Sequence, residues 1–153
     1  MRLSLVAALV GFLLSVSTKV LADLFLHAPL PMFGAWFGLD YATNSGIAFG
    51  VVLPHPFQSL LIGFAFVVIL WLYRQWLPSP LCCVGMGLVL GGGGANIMDR
   101  LGDGAVTDFI VLWPFPLFNV ADMNITLGAL FLIFGEFWPR RPRKALADFL
   151  GKW

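Results

Sequence analysis

Asp108 and Asp122 stand on either side of a proline-interrupted stretch, IVLWPFPLFN (110–119). The second acid lies at the mouth of FNVADMNITLGALFLIFGEFW (118–138), a segment otherwise almost entirely apolar. An ionisable group in such a place is costly and by default marks a functional site. Pro114 and Pro116 prevent a continuous helix, so the chain must turn between the two acids and can bring them together. Two carboxyl groups sharing a water-poor site cannot both ionise easily. One pKa rises, and the pair holds a single proton near neutral pH. That state suits peptide hydrolysis: the ionised member takes a proton from water while the protonated member donates to the scissile carbonyl or the leaving amine. The titration belongs to the pair rather than to either residue.

Other polar residues collect around the two acids. Asn96, Asp99 and Arg100 are spaced i, i+3 and i+4 and share one helix face. Asn119 and Asp122 are three apart, which is also the spacing of a helix N-cap with an acid in the first turn. That reading does not exclude catalysis. Asp99 beside Arg100 also reads as an interfacial ion pair, and Asp40 and Asp103 as solvated loop residues. His27 and His55 lack ligand partners at useful spacing and do not read as a metal site. There is no Ser–His–Asp or Cys–His arrangement. Cys82 and Cys83 are adjacent in an apolar run, offer neither a disulfide framework nor metal spacing, and read as small buried hydrophobes.

These residues need elements to position them. Of 153 residues, 59% are hydrophobic and only 11% charged, where a soluble domain is about a quarter charged. The chain reads as a single integral membrane domain, 1–153. Four apolar stretches, approximately 3–22, 57–73, 81–100 and 120–138, approach the ~20 residues a span needs. The fold class expected is an all-α integral membrane protein of four transmembrane helices, with a small extracytoplasmic β-rich segment between the first two. Seven of the nine basic residues fall on one side of that topology, at Arg2, Arg74, Arg140, Arg141, Arg143, Lys144 and Lys152. The positive-inside rule then places both termini in the cytoplasm, with 139–153 as a basic cytoplasmic tail. Lys19 and Arg100 are the exceptions, near the outer ends of their spans. Asp23, Asp40, Asp99, Asp103, Asp108 and Asp122 fall at or beyond the outer interface, so the chemistry faces outward.

Several stretches admit two readings. Arg2, the apolar run after it and KVLA before Asp23 also resemble a cleavable signal peptide, although Lys19 just ahead of the supposed cut weighs against it. The outer segment 23–56 has a centre, AWFGLDYATNSGIAFGVVLP, that reads as short strands or a hairpin at the membrane surface. A loop with Trp36, Phe37 and Tyr41 as interfacial anchors accounts for the aromatics equally well. In GMGLVLGGGGANIMDR (85–100), Gly87 and Gly91 and the run that follows permit close approach of another helix or of a substrate. A phosphate loop is excluded, because no Lys-Ser or Lys-Thr follows.

TNSGIAFG (43–50), GGGGANIMDRLGDGAVTDFI (91–110) and FNVADMNITLG (118–128) resemble the motif blocks of the lipoprotein signal peptidase (signal peptidase II) family. The second block matches at Asn96, Asp99, Arg100, Gly104, Val106, Asp108 and Phe109, with Ala95 in place of the common glycine. The third matches at Phe118, Asn119, Ala121, Asp122, Ile125 and Gly128. Order, spacing and layout agree across most of the chain. The resemblance implies a bacterial membrane aspartyl endopeptidase that removes signal peptides from prolipoproteins, cutting before a diacylglyceryl-modified cysteine. Asp108 and Asp122 match the family's catalytic aspartates. Asn44, Gly46, Asn96, Arg100, Asn119 and Ala121 match positions that support the site or contact substrate. No metal or organic cofactor is implied. The partners expected are diacylglyceryl-modified prolipoproteins and membrane lipids, with no nucleic acid, for a monomer in the cytoplasmic membrane with its active site near the outer face.

One departure stands out. The family's first span carries Asp-Gln-x-Ser/Thr-Lys near its outer end, whereas this chain has Ser15-Val16-Ser17-Thr18-Lys19. The supporting Asp is absent, and Asp23, about 12 Å further along a helix, is a poor substitute. The competing class is therefore a non-enzymatic membrane protein, either a catalytically impaired paralogue that binds lipopeptides or a small carrier. A carrier places its acids near the midplane and often shows repeated halves, neither of which is evident here.

Overall fold

A helix of 24 residues rises about 36 Å at ~1.5 Å per residue, more than the ~30 Å hydrocarbon core. Two apolar segments of this chain form helices of that length, α1 (Arg2–Phe25) and, after a small hairpin, α2 (Pro80–Asp103). The hairpin comprises β1 (Leu30–Phe33) and β2 (Phe37–Asn44); β3 (Val106–Leu112) and α3 (Val120–Glu136) complete the order. The computed structural model describes residues 2–46, 64–69, 71 and 79–137, of which 64–69 are also helical. Most of the expected second span, 57–73, and all of the tail, 139–153, lie outside the described residues.

The middle helix of the three, α2, packs along both α1 and α3. Its glycines explain how. A Cβ on Gly87 would strike the Ser4 carbonyl oxygen of α1, and one on Gly91 that of Ala8. On the opposite side, a Cβ on Gly85 would lie 2.6 Å from the Gly128 carbonyl oxygen and one on Gly92 2.5 Å from that of Ala121. These four glycines serve close helix packing on two faces. Ser79 caps α2, its hydroxyl accepting from the Cys82 N–H at 3.2 Å, with Pro80 in the first turn. Gly104 closes it in the left-handed region (φ 85°), its N–H donating to the Arg100 carbonyl. The chain is thereby released into β3 two residues later.

The three strands form one antiparallel sheet in the order β1-β2-β3. A hairpin lies within 23–56, but it runs over Leu30–Asn44, so its first strand precedes the stretch 35–54 read as strands or a hairpin, of which 47–54 lie outside the described residues. The strand β3 was not among the expected elements, although VTDFIVL is rich in β-branched residues. Its pairing partner is β2, more than 60 residues earlier, and that juxtaposition has no local signature. Alternation along β3 divides its work. Val106 and Asp108 line a cavity, while Phe109 packs with Ala22 and Leu26 from the end of α1 in a small apolar core.

Candidate active site

Asp108 is brought to the site by strand pairing. It lies opposite Ala42 on β2, and Asn44 is two residues along on the same face. Asn44 Nδ2 donates to Asp108 Oδ2 at 3.0 Å, while Asn44 Oδ1 accepts from the Gly46 N–H at 2.9 Å. Asp122 comes from the other direction. Beyond the Pro114–Pro116 turn, Phe118 returns to pair with Ile110, which sets Asn119 beside Asp108 and makes it the N-cap of α3. Asn119 Oδ1 accepts from the Asp122 N–H at 3.1 Å, Asp122 Oδ2 accepts from the Asn119 N–H at 3.2 Å, and Asn119 Nδ2 donates to Asp108 Oδ1 at 2.7 Å. The capping and catalytic readings of this pair are thus compatible.

Asn96, on α2, donates through Nδ2 to Asp122 Oδ1 at 2.9 Å, and its Oδ1 accepts from Lys19 Nζ at 2.6 Å. One rule covers all three asparagines. Each amide has its oxygen fixed by an N–H from elsewhere, so the NH2 end is the one turned to a carboxylate. All four carboxylate oxygens of Asp108 and Asp122 receive an N–H.

Both acids line one cavity of about 510 Å³ whose walls are mostly apolar, including Val89, Ile97, Val106, Phe118 and Ile125, with Phe66 and Ile69 from residues 64–69. Asn44, Asn96 and Arg100 reach the same space. Asp108 is 3% exposed. Burial pushes its carboxyl above the usual carboxylate range, against the amides of Asn44 and Asn119, with the Asp122 charge adding to the rise and Lys19 opposing it.

Of the other expected residues, Arg100 donates through Nη2 to the Gly46 carbonyl at 2.7 Å and through Nη1 to that of Asn96 at 3.3 Å, so it ties the end of β2 to α2. Gly46 is buried at that junction. Ala121 does not line the cavity. It is fully buried where α3 crosses α2 at Gly92. The pairing of Asp99 with Arg100 is corrected: Asp99 Oδ2 takes Lys19 Nζ at 2.6 Å, while the Arg100 guanidinium is held by the Gly46 and Asn96 carbonyls. Lys19, an exception in the charge count and the lysine of the stretch set against the family's first-span motif, is 2% exposed and reaches Asn96. The signal that marked it was the exception itself, a lysine inside an apolar helix. Among the described residues there is no group of three or more side chains suited to a metal ion.

Comparison with known proteins gives the arrangement a context. Residues 7–138 match the family model described as signal peptidase (SPase) II. The chain belongs to the signal peptidase II family. The match runs from the first turns of α1 past the end of α3, so it takes in every element that supplies the site. Among signal peptidase II relatives, the lipoprotein signal peptidase of Yersinia pseudotuberculosis serotype O:1b (strain IP 31758) is 34% identical over 142 residues, covering 85% of this chain and 83% of that one. That of Yersinia pestis (strain Pestoides F) gives the same figures. In fold, the chain resembles a bacterial membrane enzyme solved by the in meso method at 2.3 Å, with a TM-score of 0.76, 21% identity and coverage of 88% of this chain and 87% of that chain. A second such enzyme, at 1.9 Å, gives a TM-score of 0.72 with 20% identity and coverage of 88% of this chain and 92% of that chain.

Proposed function

We propose that this chain is an aspartyl endopeptidase of the bacterial cytoplasmic membrane, removing signal peptides from prolipoproteins by cutting immediately before a diacylglyceryl-modified cysteine. The observation that carries this reading is the opening of two carboxylates, Asp108 and Asp122, into one largely apolar cavity with their orientation fixed by asparagine amides. The apolar walls suit acyl chains and a hydrophobic signal segment. The pair holds one proton, and burial raises the Asp108 carboxyl. The ionised member takes a proton from a water held between the acids, the water oxygen attacks the scissile carbonyl carbon, and the protonated member donates to the carbonyl oxygen. The leaving amine then takes a proton from the pair as the tetrahedral intermediate collapses.

On this reading Asn44, Asn96 and Asn119 orient the acids, Arg100 with Gly46 holds the cavity rim, and Ala121 permits close packing of α3 on α2. The chain is one membrane domain of four transmembrane helices, monomeric, with both termini cytoplasmic and the dyad near the outer face. The test uses purified protein with a lipidated prolipoprotein. Asp108→Asn and Asp122→Asn each abolish cleavage and still bind the substrate. Near wild-type cleavage by either variant would end the dyad reading. One observation favours a second reading, an impaired paralogue that binds lipopeptides: Ser15 stands where the family has Asp. Absence of turnover by the unaltered protein in the same assay would select it.

A further inference from the structure

We propose that Lys19 is the positioning residue of this site, a single ammonium that sets Asp122 through Asn96 and Asp108 through Asp99 and the backbone of Thr107. The inference rests on the aspartyl reading above. Lys19 Nζ lies 2.6 Å from both Asn96 Oδ1 and Asp99 Oδ2. With the ammonium on its oxygen, Asn96 has only its NH2 end left for Asp122. Remove the ammonium and the amide is free to turn over, presenting an oxygen to a carboxylate, where two acceptors repel. The other donor near Asn96 Oδ1, Asn119 Nδ2, is 3.5 Å away and already serves Asp108, too weak a contact to hold the amide by itself.

The second branch runs through Asp99. Its Oδ2 accepts the Thr107 N–H at 3.3 Å as well as Lys19, and Thr107 immediately precedes Asp108 on β3. The Thr107 hydroxyl donates to Asp23 Oδ1 at 3.2 Å, one turn beyond Lys19 on α1. One stripe of α1, at a spacing of four residues, therefore meets all three elements that carry or hold the acids. Ser15 contacts Asn124 of α3, Lys19 contacts Asn96 and Asp99 of α2, and Asp23 contacts Thr107 of β3. Of the charged groups, Asp99 on α2 pairs with Lys19 and Asp108 on β3 feels its charge, Asp23 lies one turn on along α1, and Asp122 on α3 is reached through Asn96. Its positive charge favours the ionised form of Asp108, so losing it shifts the protonation of the dyad as well as its geometry.

The experiment compares Lys19→Met and Lys19→Gln with unaltered protein, using full-length purified enzyme and a lipidated prolipoprotein. It reads kcat, KM, the pH profile of kcat and thermal unfolding. Glutamine keeps a hydrogen-bond donor at this position without the charge. Misplaced catalytic groups cost on the order of 10²-fold in rate, so kcat is expected to fall roughly 10- to 100-fold in both variants. KM changes less than about threefold, because no contact to the apolar cavity is lost, and the pH profile moves to higher pH because a cation near the carboxylates is gone. If Lys19→Gln keeps kcat within about threefold and an unmoved pH profile, the proposal is overturned. It is equally overturned if kcat falls only in step with the fraction of unfolded protein while the profile stays put. Asp108→Asn measured alongside separates the two claims: cleavage by that variant defeats the aspartyl reading itself, whereas its inactivity beside a fully active Lys19→Gln defeats only the role of Lys19.

Discussion

Asn119→Ser separates the two functions that one residue carries. Asn119 caps α3 through Oδ1 and donates through Nδ2 to Asp108 Oδ1 at 2.7 Å. Serine caps a helix about as well as asparagine, and the backbone N–H that reaches Asp122 Oδ2 is unaffected. Its hydroxyl, however, is one bond too short to replace the amide at Asp108. The lost bond is to a buried carboxyl group that is 3% exposed, so solvent does not replace it freely. Hydrogen bonds to charged groups contribute about 1.5–3 kcal/mol, which at ~1.4 kcal/mol per tenfold is roughly a 10- to 150-fold loss in kcat. The same bond contributes to folding, so stability should fall by roughly 1.5–3 kcal/mol as well. The assay is turnover of a lipidated prolipoprotein together with thermal unfolding in the same detergent, with kcat expressed per folded protein. A kcat within about threefold of the unaltered protein would show that the Asn119 amide is a cap and nothing more. An activity loss that matches only the fraction of unfolded protein would show the same.

Two further outcomes follow from the site. Burial raises the Asp108 carboxyl, so the folded protein holds that proton more tightly than the unfolded chain. Stability should therefore fall as pH rises from the ordinary carboxylate range through the raised folded-state value, and kcat should fall over the upper part of that window as the dyad loses its proton. A unfolding temperature that rises across this window, or an Asp108→Asn variant with the same slope, would contradict the assignment. Ser15→Asp should retain cleavage to within about threefold, because Asn124 Nδ2 already donates to residue 15 and Lys19 lies one turn on along the same face. Loss of membrane insertion or of activity would show that packing around α1 has diverged from a form that accepts an acid.

What could be read in the sequence followed from chemistry carried on short spacings. Asp108 and Asp122 were legible because acids are expensive in apolar surroundings and because prolines force a turn between them. The cap at Asn119 was legible from a three-residue spacing. The role of the glycines in α2 remained open, since a missing side chain admits a helix or a substrate equally, and only the positions of the Ser4, Ala8, Ala121 and Gly128 carbonyls decide between them. Long-range pairings left no such trace. Nothing near Val106 announces β2 as its partner, and nothing near Lys19 announces Asp99, 80 residues away.

The departure at Ser15 shows why a motif cannot be judged residue by residue. Taken alone, the missing acid reads as a damaged site. In the fold, Ser15 is fully buried, its hydroxyl donates to the Gly11 carbonyl at 2.7 Å, and it accepts from Asn124 Nδ2 at 3.0 Å. Asn124 Nδ2 also reaches the Gly11 carbonyl, at 3.1 Å. The polar groups at this crossing of α1 and α3 are therefore paired without a charge. A carboxylate at this position would meet the same Asn124 amide and would have Lys19, one turn on along α1, as its counter-ion. With serine there, no charge needs balancing at the crossing. What the sequence presents as the loss of a supporting charge is, in three dimensions, a neutral crossing whose hydroxyl and amide are already paired.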